Sequence, residues 1–166
     1  MMEETLTWLL SHAKKYIWFE TPYFLPSRPV MKAMKQAVRR GIDVRVLVPV
    51  ETDMSSFDPA FRSIVKECVK SGIKVIYRKP PFNHSKTFVC DDYVTSIGSS
   101  NLDKLSLLSM YEINMLIYDA PTAIEHKAYL DREQEGAMLA DQEFIDSWDG
   151  SERFKQAMLG LMSHWL

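Results

Sequence analysis

The sequence lacks any apolar run of the roughly eighteen residues that a membrane-crossing helix needs. Near its N-terminus it carries Glu3 and Glu4, where a secretion signal would carry positive charge. It contains only two cysteines, Cys68 and Cys90, without CxxC spacing, which favours buried free thiols and a reducing compartment. We therefore expect this segment itself to be soluble.

An excess of charge of one sign is also lacking, since 20 basic and 22 acidic residues give a net charge of -2. Proteins that bind nucleic acid usually present a dense basic surface, so nucleic acid is not the expected partner. Apolar residues make up 46% of the 166 positions and charged residues 25%, which is typical of a folded protein. No repeat or long linker divides the chain, and we predict one domain over residues 1–166.

The hydrophobic pattern predicts an α/β fold with a mixed, mostly parallel β-sheet flanked by helices. The apolar strands alternate with amphipathic helices in the first half of the chain, and strands follow one another in the second half. The predicted helices are residues 2–14, a helix through Met31, Met34 and Val38, residues 59–70, 120–136 and 151–165; the predicted strands are residues 16–20, 44–48, 73–77, 85–90, 93–97 and 113–118.

The candidate catalytic residues lie in the segment from His84 to Asn101. It reads as HxK, four residues, Asp91, six residues and GSxN. His84 and Lys86 are two residues apart, so on a strand both side chains leave the same face and can meet one ligand. An imidazole can attack phosphorus, while a lysine neutralises the nonbridging oxygens of a phosphodiester. No metal or other cofactor is implied, because these side chains do not form a ligand set.

A histidine and a lysine at this spacing arise often by chance, and a lone histidine near a strand is more often structural. The joint match of six residue types at fixed offsets outweighs that explanation. In the GSxN segment, Gly98 would let the backbone approach a phosphate, and hydroxyl and amide groups would donate to it. Spacing alone assigns Asp91 no attacking role. It favours an orienting or structural carboxylate at a turn between strands.

At these residues the sequence resembles the phospholipase D superfamily, whose signature is HxK(x)4D(x)6GSxN. The segments 16–26 and 41–49 resemble the second half of bacterial cardiolipin synthases, where a TPYF(x)P loop precedes an apolar strand. The resemblance extends to the C-terminal helix after Trp148. The chain departs from that pattern at Leu105, where an arginine is usual, and at Met110, where an asparagine is usual.

The resemblance implies roles for the motif residues. His84 becomes the nucleophile or the acid and base partner, with Asp91 in the catalytic motif. Phosphate binding falls to Lys86 and Asn101, with Ser99 as a weaker addition, and Glu112 becomes the carboxylate that orients His84.

The superfamily builds its site from two HxK motifs, and this chain has one. Its other histidines, His12, His126 and His164, lack a lysine two residues later and are expected to be solvated or to pack on helices. The second motif comes either from a preceding half of the same protein or from a second copy in a homodimer. The resemblance favours the first option, with this chain as the C-terminal half.

The expected function is that of a cardiolipin-synthase-type phosphatidyltransferase, with phosphatidylglycerol as substrate and a phosphohistidine intermediate. The expected place is the bacterial inner membrane, as a peripheral domain of an anchored protein facing the membrane surface. The alternative is a phospholipase D or a small nuclease-like phosphodiesterase that acts on phospholipid or nucleic acid as a homodimer. A basic stripe from Arg28 to Arg40 could attract anionic lipid headgroups, although a solvated helix face is the more common explanation.

Overall fold

The computed structural model describes residues 2–50 and 59–148. Helix and strand alternate in the first half of the chain, and strands dominate the middle. The elements are α1 (Met2–His12), β1 (Tyr16–Glu20), β2 (Phe24–Leu25), α2 (Arg28–Arg39), β3 (Asp43–Pro49), α3 (Pro59–Ser71), β4 (Lys74–Arg78), β5 (Thr87–Cys90), β6 (Val94–Gly98), β7 (Leu102–Asp103), α4 (Lys104–Leu108), β8 (Asn114–Tyr118), α5 (Ala120–Glu133), β9 (Met138–Leu139) and α6 (Gln142–Ser147).

The central sheet has seven strands in the order β8-β6-β5-β1-β3-β4-β9. Strands β1, β3 and β4 run parallel, because helices α2 and α3 return the chain to the same end of the sheet between them. Strands β5, β6 and β8 add antiparallel beyond β1, and β9 adds antiparallel beyond β4. The two-residue strands β2 and β7 pair separately as a small parallel ribbon.

Strand β1 lies in the middle of the sheet, and all five of its residues are buried. Its side chains alternate between the two faces, as the pleat of a strand requires. Ile17 and Phe19 pack in the larger core cluster with α1, α2, α3 and α6, whereas Tyr16 and Trp18 pack in a smaller cluster with α5. Helices therefore cover both faces of the sheet around β1, and the carboxyl end of β1 lies at the centre of one edge.

The predicted α/β fold with a mixed sheet flanked by helices is confirmed. The expectation that the sheet is mostly parallel is wrong, because among the described strands of the main sheet only the β1–β3 and β3–β4 pairs are parallel. For the β5–β6 pair the cause is local, because the turn at residues 91–93 is too short to join parallel strands.

The predicted strand at 85–90 begins only at Thr87 in the structure. Several short elements, among them β2, β7 and α4, were not predicted, since two to five residues are too few for a hydrophobic period to register. The predicted helix at 151–165 and its His164 lie outside the described residues. Among the residues that are described, no helix has the length and apolarity to cross a bilayer.

Candidate active site

Three strand ends bring the motif residues together at the carboxyl end of β1. In the sheet register, Glu20 pairs with Thr87, and Thr87 pairs with Ile97. The amide of Gly98 then donates to the carbonyl oxygen of Lys86 at 3.1 Å. The HxK segment that precedes β5 and the GSxN segment that follows β6 are therefore neighbours in space.

His84 and Lys86 contact each other directly. The Lys86 Nζ atom lies 3.0 Å from His84 Nδ1 and donates to the His84 carbonyl oxygen at 2.7 Å. An ammonium group can only donate, so Nδ1 is the acceptor and the proton of the neutral imidazole sits on Nε2. The predicted proximity is correct, but it comes from an irregular segment before β5 and not from a shared strand face.

Burial and two carboxylates act on the charge of Lys86 in opposite directions. Burial lowers the pKa of Lys86, while the carboxylates of Glu112 and Asp103 oppose that shift. A bound phosphate would be a further negative charge that favours the charged ammonium group. If Lys86 turned to such a phosphate, Nδ1 would be free to take the proton and Nε2 would become the basic nitrogen.

Two aromatic rings flank the exposed imidazole of His84. The Tyr23 ring stands edge-on with its centroid 6.0 Å away, and the Phe82 ring lies 5.8 Å away on a tilted plane. Phe24, the next residue and the first of β2, is buried in the core instead. Tyr23 and Phe82 thus place apolar surface beside the His84 imidazole.

A buried carboxylate beneath the site was not predicted. Glu20 accepts a hydrogen bond from Asn83 Nδ2 at 2.8 Å, and Asn83 also lies 3.1 Å from the Tyr129 hydroxyl. The Asn83 Oδ1 atom accepts from the Ser85 amide at 2.9 Å and from the Ser85 hydroxyl at 2.6 Å. Residues 83 and 85 flank His84, so these contacts hold the backbone of the HxK segment in place.

The cluster around Glu20 contains two carboxylates, Glu20 and Glu133, and one guanidinium group, Arg78. The Arg78 Nε atom is 3.8 Å from Glu20, and the Arg78 guanidinium also binds Glu133 and donates to the Pro81 carbonyl at 2.8 Å. Burial, reinforced by the Glu133 charge, raises the pKa of Glu20 to about 7 against the pull of Arg78. The sequence signal for this cluster is one acidic residue that ends an apolar strand.

The GSxN loop is tied to the start of β8. The Ser99 hydroxyl donates to Glu112, and the Ser99 amide donates to the Ile113 carbonyl at 3.0 Å. Asn101 Nδ2 lies 3.3 Å from the Ser106 hydroxyl in α4. In this structure, Glu112 therefore contacts Ser99 and reaches Lys86 through its charge, and the described contacts of His84 do not include it.

Two polar atoms of the same loop are buried without a partner among the described residues, namely Ser100 Oγ and Asn101 Oδ1. They line a cavity of about 30 Å³ behind Lys86. The lining is mostly apolar, and the volume is enough for one water molecule beside these two residues.

Asp91, which the motif placed with the catalytic residues, lies at the opposite end of β5. Its carboxylate accepts hydrogen bonds from the amides of Lys14, Lys15 and Tyr16 at 2.7, 2.8 and 3.1 Å. Asp91 thus ties the β5–β6 turn to the start of β1. These contacts favour the structural interpretation of Asp91, and its placement among the catalytic residues stays a prediction.

Neither described histidine outside the motif joins the site. His12 stacks on Trp8 in α1 with ring centroids 4.2 Å apart. His126 packs between α5 and the sheet, where it contacts Thr95 and lies 3.1 Å from the Thr87 hydroxyl, and burial lowers its pKa. The second HxK motif is not supplied by the described residues.

A family model described as "Cardiolipin synthase, PLD-like domain" matches residues 6–133, which is well over half of the chain. The chain belongs to this family. The matched range contains all the site residues discussed above, from Glu20 to Tyr129.

Curated cardiolipin synthases resemble this PLD-like domain at moderate identity. Cardiolipin synthase 1 of Staphylococcus epidermidis is 30% identical over 98% of the chain, and cardiolipin synthase A of Pseudomonas putida is 37% identical over 78% of it. These alignments cover 33% and 27% of the two relatives. The chain therefore spans about a third of the length of the curated relatives it matches.

Solved structures share the fold of the PLD-like domain at lower identity. The phospholipase D family member Nuc from Salmonella typhimurium superposes with a TM-score of 0.72 at 19% identity, covering 84% of this chain and 90% of that one. A phosphatidylserine synthase from Haemophilus influenzae gives 0.65 at 19% identity and is covered over 37% of its length. At this identity the likeness establishes the fold alone.

Proposed function

We propose that the chain is the C-terminal half of a bacterial phosphatidyltransferase of the cardiolipin synthase type. The single observation that carries this is the His84–Lys86 contact, with Nδ1 and Nζ 3.0 Å apart, beside the GSxN loop. A phosphodiester needs a nucleophile and a fixed cation within reach of one phosphorus atom, and this pair supplies both.

The proposed first step begins when the phosphate of phosphatidylglycerol draws Lys86 away from His84. The Nε2 atom of His84 attacks phosphorus, and the bond from phosphorus to the headgroup glycerol oxygen breaks. The glycerol leaves with a proton from the histidine of the second half. Lys86, with donors from Ser99 and Asn101, stabilises the oxygens of the transition state, and Glu112 takes up the orienting contact with Nδ1.

In the proposed second step, the hydroxyl of another phosphatidylglycerol attacks the phosphohistidine. The second histidine takes the hydroxyl proton, and the nitrogen of His84 leaves with its electron pair. Two phosphatidylglycerol molecules therefore give one cardiolipin and one glycerol. Water would compete as acceptor, and the flanking rings of Tyr23 and Phe82 favour a lipid beside the reactive nitrogen.

We assign the second HxK motif to a preceding half of the same protein. This proposal is supported by the length of the curated relatives, because the chain spans only about a third of each and the rest could hold the other motif. In this proposal the whole protein is anchored at the inner membrane, and the present domain is peripheral to the lipid surface.

The test is phosphatidyl transfer by the full-length protein in vesicles of phosphatidylglycerol, with cardiolipin measured by mass spectrometry. We expect His84→Ala to abolish cardiolipin formation. The matched control is His12→Ala, which removes a surface histidine of α1 and should leave the rate unchanged. Equal rates in His84→Ala and the control would refute the proposal.

A homodimeric phosphodiesterase is the second candidate, because the chain holds a single HxK motif. It predicts that the 166-residue chain forms a dimer and cleaves a phosphodiester without any other half. Light scattering and cleavage of plasmid DNA by the purified chain distinguish the two. A monomer that cleaves nothing excludes this candidate.

A further inference from the structure

Helices α2 and α3 enclose a cleft of about 270 Å³ on the side of the domain away from α5. One wall carries Arg28, Lys32, Lys35 and Arg39, and Glu67 stands on the other. The cleft is separate from the His84 site, and none of the roles assigned above uses it.

The four cations form one stripe. Positions 28, 32, 35 and 39 are spaced by four, three and four residues, which places them on one face of a helix. No acidic residue occurs in the helix sequence RPVMKAMKQAVR. Such a concentration is unexpected in a chain whose net charge is -2.

Among the described residues, most of the positive charge of the stripe has no acidic partner. Lys35 forms an ion pair with Glu67 across the cleft. Within residues 2–50 and 59–148, no salt bridge joins Arg28, Lys32 or Arg39 to a carboxylate. All three are exposed, so the described lining of the cleft presents several cations against one carboxylate, that of Glu67.

The position of the stripe connects it with the catalytic end of the sheet. Helix α2 begins directly after the loop that carries Tyr23, whose ring is 6.0 Å from that of His84. At about 1.5 Å of rise per residue, the cations extend some 16 Å from that loop along α2. A surface that binds the stripe would therefore also lie near the rim of the active site.

We propose that the α2–α3 cleft binds the phosphate groups of anionic phospholipids at a membrane surface. Arg28 and Arg39 offer forked donors that fit phosphate oxygens, and Lys32 adds a point charge between them. Met31 and Ile64 add apolar surface to the lining, which suits the methylene groups of a lipid's acyl chains. None of the described residues that line the cleft is aromatic, so these residues offer no ring for a base to stack on, which argues against single-stranded nucleic acid.

The test is binding of the purified chain to vesicles of phosphatidylcholine, with and without phosphatidylglycerol, measured by co-sedimentation. The informative variant is the triple substitution Arg28→Gln, Lys32→Gln and Arg39→Gln. The matched control, Lys14→Gln with Lys104→Gln and Arg132→Gln, removes three exposed cations elsewhere. Far-UV circular dichroism checks that both variants remain folded.

We expect binding only to vesicles that contain phosphatidylglycerol, and weaker binding as salt rises. A basic side chain near such a surface is worth about a fivefold gain in affinity, so the cleft variant should bind roughly 100-fold more weakly. The control should stay within a few-fold of wild type. His84→Ala should bind vesicles normally, which separates a failure of this proposal from a failure of the proposed function.

Three results would overturn the proposal. Equal losses in the cleft variant and the control would mean that only net charge matters. Displacement from vesicles by millimolar inorganic phosphate, with loss of phosphate binding in the cleft variant, would assign the cleft to a free anion. Loss of DNA binding with unchanged vesicle binding in the cleft variant would assign it to nucleic acid.

Discussion

Replacing Asp91 tests most sharply whether the aspartate of the motif serves structure or chemistry. Its carboxylate accepts three backbone hydrogen bonds from residues 14–16, about 75 positions away in the chain. Its φ of 53° is in the left-handed region, which aspartate and asparagine tolerate better than alanine does. Asp91→Ala therefore removes the acceptors and strains the turn at once.

The expected loss in the free energy of unfolding can be worked out from these contacts. A hydrogen bond to a charged acceptor is worth about 1.5–3 kcal/mol, and water can replace part of the loss at the exposed Lys14 and Lys15 amides. The left-handed conformation adds about 1 kcal/mol for alanine. We expect Asp91→Ala to lower the free energy of unfolding by about 3–4 kcal/mol. Asp91→Asn keeps Oδ1 and tolerates the turn, so about 1–2 kcal/mol is expected.

The assay is urea unfolding followed by far-UV circular dichroism, with the m-value compared between variants. The control is Asp146→Ala, which removes an exposed aspartate of α6 and should change stability by less than about 0.5 kcal/mol. A stable Asp91→Ala chain whose full-length form has lost phosphatidyl transfer would refute the structural role.

Three further predictions concern the site. The pKa of Glu20 is raised from 4.5 to about 7, so between these pH values the folded state keeps a proton that the unfolded state has lost. The free energy of unfolding should therefore fall as pH rises from 4.5 to about 7. Urea unfolding at each pH should show a smaller fall for Glu20→Gln. Gly98→Ala should cost about 1–3 kcal/mol and speed hydrogen exchange in β8, because a Cβ there overlaps Asn114 and the Ile113 carbonyl. Lys86→Met should lower kcat/KM for phosphatidyl transfer by about 100-fold or more with little change in Tm, whereas Lys86→Arg should keep part of the rate.

Much of the fold could be predicted because the hydrophobic pattern of each long helix or strand lies within its own residues. The apolar runs of β1, β3 and β4 and the amphipathic helices between them carry a clear hydrophobic period, and glycines mark the helix ends. The ribbon of β2 and β7 could not be predicted, because two-residue strands have no period and are held by a pairing between Phe24 and Leu102.

The motif predicted which side chains meet, but not how they are held. The contact of His84 with Lys86 depends on neighbouring residues, and it formed as expected even though the segment is not a strand. The Glu20–Asn83 contact joins positions 63 apart, so no local pattern could indicate it. The spacing of the motif residues could not predict the hydrogen bond from Ser99 to Glu112, because that contact depends on how β6 and β8 pair.

The most direct test of the central claim is to isolate the covalent intermediate. The full-length protein is incubated briefly with phosphatidylglycerol that is radiolabelled in its phosphate, quenched in alkali, where phosphohistidine is stable, and digested for peptide mass spectrometry. The account predicts a phosphatidyl or phosphoryl adduct on His84 and no adduct in His84→Ala. Undiminished labelling of the protein in His84→Ala, together with undiminished cardiolipin formation, would contradict it.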